Sequence, residues 1–244
     1  MSRPLCLRTC SLSAIVIALV GVSLGACSAP GSSAPPPASS TGDDSGTGDP
    51  TSGGDDASTP TIGSGLSLPF TVSTVFVPSG FMGDTPTDFN AVKMSSAATA
   101  CPSRAMGAQG SCYSVNWTPA PISGQKTAWV GVYWQYPGNN WGGKPGKDIA
   151  AGATKVTFSA MGGAGGEALQ FLAGGVNVSG GNASLTYADT FTAKAQVTLT
   201  NAWADYEVDL TGDTYSQVIG AFAWTMTTGA TDPVTFYIDN IQWQ

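Results

Sequence analysis

The stretch AWVGVYWQYPGNNWGGKPGK, Ala128 to Lys147, begins as a strand and ends as a loop, and the side on which its rings fall bears on both fold and function. Apolar and aromatic residues fill its first half without a helical period, and Pro137 and Gly138 end it. On a period of two, Val130, Val132, Trp134 and Tyr136 share one face, and Trp129, Gly131, Tyr133 and Gln135 share the other. Both faces carry aromatics, whereas one core needs only one of them. The surplus rings, with Trp141 in the Gly-rich loop, are therefore candidates for an exposed platform. The assignment adopted from the sequence puts Trp134, Tyr136 and Trp141 outside and leaves Trp129 and Tyr133 in the core. The opposite parity fits the same pattern.

A flat, partly exposed ring suits a sugar, whose weakly polarised C–H groups lie against the negative face of an indole or phenol. Sugar hydroxyls then need donors and acceptors at the rim, and amides supply both. Gln135, Asn139 and Asn140 are placed to do so, although an Asn pair after Pro-Gly also answers to turn chemistry alone. One decoy lies in the same loop: GNNWGGKP matches the first seven positions of a phosphate-binding loop. Its eighth position is Pro145 rather than Ser or Thr, and no helical pattern follows, so nucleotide binding is rejected.

Short stretches of the same alternating kind recur along the chain, as in FTVSTVFV, CYSVNWT, TKVTFSAM, EALQFLA, AQVTLT, DYEVDL, VIGAFAWT and VTFYIDNIQW. Gly, Pro, Asn and Asp clusters separate them, which predicts an all-β fold, a β-sandwich of jelly-roll kind with two antiparallel sheets. Val156, Phe158 and Ala160 should face the core with Lys155, Thr157 and Ser159 outward, and Tyr206, Val208 and Leu210 should oppose Glu207 and Asp209. In the last strand Val234, Phe236 and Ile238 share a parity that Ile241 and Trp243 do not. A bulge at Asp239-Asn240 would restore the phase; burial on both faces would also account for it. The segment DFNAVKMSSAATA has no readable period.

The N-terminus carries Arg3 and Arg8, then the apolar run LSAIVIALVGVSL, then Leu24-Gly25-Ala26-Cys27, a pattern of charge, short apolar run and small residues that marks an export signal over residues 1–26. LGAC also resembles the lipobox of bacterial lipoproteins, which implies cleavage before Cys27 and lipidation of its thiol. Residues 27–62 are Ser, Gly, Pro, Thr, Ala and Asp with almost nothing apolar, a composition that cannot bury a core and reads as a tether. The folded domain is expected over 63–244. Of five cysteines, Cys6 and Cys10 leave with the signal and Cys27 takes lipid, so Cys101 and Cys112 are predicted to be bridged. With a net charge of −7 and only 9 Lys and Arg, the chain offers no basic groove for nucleic acid. Having no His, it also lacks the commonest general base.

The run W203-x-x-Y206-x-V-D-L, with I219-G-A-F222-A-W224 and F236-Y-I-D-N-I-Q-W243, resembles the closing strands of carbohydrate-binding modules of the galactose-binding-like jelly-roll type. GATKVTFSAMGGAGGEALQF is similar to a strand pair of the same modules, and FVPSGFMGD to an opening motif of exported lipoproteins that carry them. The resemblance implies polysaccharide binding without cleavage. No cofactor is required, although such modules often hold a structural calcium, here at Asp239, with Asp84 standing in for an acid missing from FTVSTVFV. Arg104 and Glu167 are secondary binding candidates. Arg104 would more commonly fork onto a carboxylate such as Asp84 or Glu167, and Glu167 reads more readily as a solvated surface acid. The expected protein is a monomeric, membrane-anchored lipoprotein, and Ser28 after the lipidated Cys, where similar signals would carry Asp for retention, points to the outer membrane or cell surface. Two alternatives stand beside it, a glycoside hydrolase or lyase using Glu167 and an adhesive surface protein without a glycan.

Overall fold

The computed structural model describes residues 65–178 and 184–244. The export signal, Cys27 and the tether lie outside the described residues. In chain order the elements are β1 (Phe70–Thr71), a 3-10 turn (Val72–Thr74), β2 (Val77–Gly83), α1 (Pro86–Ala91), β3 (Lys93–Ser95), β4 (Tyr113–Trp117) and β5 (Ala128–Gln135). They continue with β6 (Lys147–Asp148), β7 (Lys155–Gly162), β8 (Ala168–Gly174), β9 (Thr192–Thr198), β10 (Ala204–Asp209), β11 (Gln217–Val218), β12 (Gly220–Thr228) and β13 (Val234–Trp243).

Two antiparallel sheets make a β-sandwich. One runs β10-β7-β13-β4-β3 with β1 added to β13, the other runs β2-β5-β12-β8-β9, and β6 and β11 form a small ribbon. FTVSTVFV, expected as one strand, is instead the corner at which the chain changes sheets. Phe70 and Thr71 pair with β13, the backbone turns at Val72–Thr74, and β2 then pairs with β5. Val72 and Phe76 are both fully buried, and Phe76 N donates to Val72 O at 2.9 Å, a bond four residues back that belongs to a turn and not to a strand. DFNAVKMSSAATA divides between α1 and β3.

Aromatic contacts join the sheets. Trp134 of β5 meets Tyr113 of β4 edge-on at 5.0 Å, and Phe158 of β7 lies 4.3 Å from Phe171 of β8 and 5.2 Å from Phe222 of β12. Trp224 of β12 meets Phe236 of β13 at 4.9 Å. Such pairs add directional preference to burial that is itself the main stabilising term. The expected faces of β7 and β10 hold: Val156, Phe158, Ala160, Val208 and Leu210 are buried, with Tyr206 packed against them. The phase change in β13 is a bulge. Its register against β7 shifts between Asp239 and Gln242, and Asn240 takes φ 55°, a left-handed value that Asn tolerates better than most residues.

Cys101 and Cys112 are bridged with their Cα atoms 6.3 Å apart. The loop they close is also tied down by Arg104, which donates from Nε and Nη2 to the two oxygens of Asp239 at 2.6 and 2.7 Å. Asp239 accepts further from Ala105 N at 3.3 Å and is fully buried, and this pairing holds the Arg104 guanidinium above its usual pKa. Arg104 therefore forks onto an acid in neither Asp84 nor Glu167. Its contribution is structural, closing the bulge under the disulfide loop.

These contacts put opposite expectations on two Trp residues on opposite faces of β5. Trp134→Ala should lower the unfolding free energy by about 3–5 kcal/mol in urea titration, whereas Trp129→Ala should cost under about 1 kcal/mol. Similar losses for the two would contradict the facing described here.

Candidate functional site

The parity of β5 is the reverse of the one adopted from the sequence. Val130, Val132 and Trp134 point between the sheets and are fully buried, so Trp134 cannot meet a ligand. Gln135 is also excluded: it is fully buried under β2, where a Cβ at Gly80 would fall 2.7 Å from its carboxamide carbon. Its oxygen accepts from the Ser79 hydroxyl at 3.2 Å. Tyr136 is half-buried, edge-on to Phe76 at 6.0 Å, with the Lys147 ammonium 5.5 Å above its ring. Trp129 and Tyr133, expected in the core, lie on the outer face of the five-stranded sheet.

Register assigns that face residue by residue. Met82 pairs with Gly131, Gly131 with Thr225, Thr225 with Gln170 and Gln170 with Gln196, so one uncharged row crosses every strand of the sheet. A Cβ at Gly131 would lie 2.8 Å from Thr225 Cγ2 and 2.9 Å from Met82 Cε. Glycine there leaves a flat floor. Trp129, part-exposed and paired with Thr227, bounds the row on one side. On the other, Tyr133, Leu172, Val176, Ile219 and Ala223 form a second apolar cluster capped by loops, and Trp141 stands edge-on to Tyr133 at 6.1 Å.

Trp141 is held out by its own loop. Asn140, 4% exposed, donates from Nδ2 to Tyr136 O and Lys144 O at 3.1 and 2.8 Å. Its Oδ1 accepts from Gly142 N and Lys144 N, both at 3.1 Å. Four bonds saturate the amide, so Asn140 is a brace for the turn and not the rim group expected. Asn139 is exposed, in the left-handed region at φ 60°, with its N–H on Ser79 Oγ at 2.9 Å. Trp141 itself is 39% exposed and separates two depressions of about 450 and 420 Å³. Asn139 and Trp141 line both; Ser79, Phe81 and Asn90 complete one, and Lys144 and Leu185 the other.

A buried carboxylate that the sequence did not flag secures this region. Asp189, 2% exposed, accepts from Val176 N at 3.0 Å, Ile219 N at 2.6 Å and Gly220 N at 3.2 Å. It thereby ties the segment after β8 to the start of β12. Burial outweighs the three donors and pushes its carboxyl up to about 6. Burial, helped by the charge of Asp189, pushes the Tyr133 phenol up to about 12.

The remaining candidates lie elsewhere. Glu167 Oε1 accepts from Ala164 N and Gly165 N at 2.9 and 3.2 Å, closing the glycine turn between β7 and β8. Asp84 accepts from Trp129 N at 3.1 Å beside the five-stranded sheet, whereas Asp239 belongs to the other sheet and has both oxygens engaged by Arg104. The two acids expected to share calcium are not brought together. Among the described residues no group of three or more His, Cys, Asp or Glu is placed to hold a metal.

Neither protein-family models nor curated protein sequences match this chain. Solved structures similar to it include the family 11 carbohydrate-binding module of the cellulosomal cellulase Lic26A-Cel5E of Clostridium thermocellum, at 12% identity and TM-score 0.37, covering 71% of this chain and 91% of that one. The family 30 module of the cellulosomal cellulase Cel9D-Cel44B of the same organism is similar at 14% identity and TM-score 0.41, covering 72% and 97%. TmCBM61 in complex with β-1,4-galactotriose is similar at 19% and 0.37, covering 71% and 93%. No residue of this chain takes a role from these likenesses.

The Asp189 carboxyl generates a signed prediction. Its folded pKa lies above the ordinary 3.8, so the folded state takes up a proton as pH falls through about 6 while the unfolded chain does so only near 3.8. Between those values this group makes the fold more stable as pH falls. Urea unfolding at pH 4.5 and 7.5 should show that increment in the wild type and its loss in Asp189→Asn. The same pH dependence in both proteins would contradict it.

Proposed function

We propose that this chain binds a glycan without cleaving it, on the outer face of the five-stranded sheet between Trp129 and Trp141. The observation that carries the reading is the pairing of two part-exposed indoles on one side of a sheet with an uncharged Thr and Gln row between them. Indole faces stack on pyranose rings, and Gln170, Gln196 and Thr225 offer donors and acceptors to hydroxyls without the desolvation cost of a charge. Neighbouring strands are roughly 4.8 Å apart, about the length of a sugar ring, so the row suits an extended chain laid across the strands. Asn139, beside Trp141, is the rim amide retained from the sequence reading.

Cleavage has no comparable support. Glu167 is engaged in a turn, and Glu207 is paired with Lys155 at 3.1 Å. The binding domain belongs, in this reading, to an exported lipoprotein held in the outer membrane through Cys27, with residues 27–62 as spacer and the domain acting as a monomer. Fatty-acid labelling that persists in Cys27→Ala would remove that anchor.

Affinity electrophoresis against a panel of neutral soluble glycans tests the binding itself. At least one should retard the wild-type protein, and Trp141→Ala and Trp129→Ala should each weaken binding by roughly tenfold, the loss expected of one stacked ring. No retardation by any glycan, or unchanged binding in both variants, would end the reading.

A further inference from the structure

The loop that presents Trp141 has a second side. There a depression of about 380 Å³ is lined by Tyr136, Pro137, Lys144, Pro145, Lys147 and Gln217, with Asp148 beside them. Lys144 also lines one of the depressions next to Trp141, so the two hollows share that residue. Among the described residues the salt bridges are Arg104–Asp239 and Lys155–Glu207. Among those residues, therefore, neither Lys144 nor Lys147 has a carboxylate at bonding distance. Asp148 is the single acid in the lining, and one acid against two lysines leaves the hollow net positive. That sign is unusual on a chain of net charge −7.

The ring of Tyr136 lies in the same hollow, half-buried, with Lys147 above it. A pyranose packed there would place a ring substituent within reach of the lysines and its hydroxyls near the Gln217 amide. The ligand chemistry this combination fits is a sugar ring that bears a carboxylate. We propose that the hollow is a subsite for a hexuronate residue, continuous with the glycan face through Lys144. The inference rests on the glycan-binding reading above and adds its charge selectivity. At about 0.1 M salt charges further than roughly 10 Å are screened, so the two local lysines outweigh the acidic remainder of the chain.

Polygalacturonate and its fully methyl-esterified form share a backbone and differ in charge, and both would be titrated into the full chain by calorimetry at about 0.1 M salt, where the rest of the chain's charge is screened. The acid should bind more tightly than the ester, and the double variant K144Q/K147Q should lose roughly five- to tenfold for the acid alone, the scale of two exposed charge contacts. A K126Q/K155Q control carries the same change of charge outside the hollow and should match the wild type. Acetate at equal carboxylate concentration, which lacks the ring, should not compete. Equal affinity for acid and ester, a loss in K144Q/K147Q no larger than in the control, or competition by acetate would overturn the hexuronate subsite. If the wild type still binds a neutral glycan in that case, the general reading survives; if it binds neither, both fall.

Discussion

Trp134 wedged between Tyr113 and Phe222 fixes the rest of the molecule. A fully buried indole on β5 commits Val130 and Val132 to the same interior, and the two-residue period of a strand then sends Trp129, Gly131 and Tyr133 to the other side. Once β5 is set, register carries the assignment across β12, β8 and β9, so the polar row on the outer face follows from one ring in the core. The functional surface is thus a consequence of packing on its reverse.

Two braces then shape what stands on that surface. Asn140 saturates its amide within the loop from Pro137 to Gly146 and holds Trp141 above Tyr133, while Asp189 gathers three backbone donors and fastens the neighbouring segment to β12. Asp189 does so at a cost, because burial desolvates the carboxylate and among the described residues no cation is paired with it. On the opposite sheet the same problem is solved differently: Asp239 is as buried but carries Arg104 on both oxygens, and the disulfide holds that arginine's loop in place.

Much of the fold was legible from alternation alone, because a half-buried strand writes its facing into every second residue. The faces of β7 and β10 could be read in this way, and so could the break of phase in β13, though not whether a bulge or two-sided burial caused it; the Cys101–Cys112 bridge came from counting cysteines instead. The sign of β5 could not, since both of its faces carry aromatics and the choice depends on which ring finds Tyr113 across the sandwich, beside Phe222 on the neighbouring strand. FTVSTVFV misled for a related reason: Val72 and Phe76 are both apolar and both buried, but a corner and not a strand puts them there. Gln135 and Asn140 look like surface amides by type, and only Gly80 and the loop backbone show that they are consumed inside. Arg104 found its acid 135 positions away, a separation with no local signal. Asp189 gives no sign of its role either, because its partners are backbone groups.

The most direct test of the account is the set of indole N–H resonances of the seven tryptophans, followed by NMR as a bound glycan is titrated in. Those of Trp129 and Trp141 should shift together, while those of Trp117, Trp134 and Trp224, sealed between the sheets, should stay in place. Shifts confined to Trp203 at the other sheet, or a perturbed Trp134 with Trp129 and Trp141 unmoved, would contradict the facing of β5 and the surface built on it.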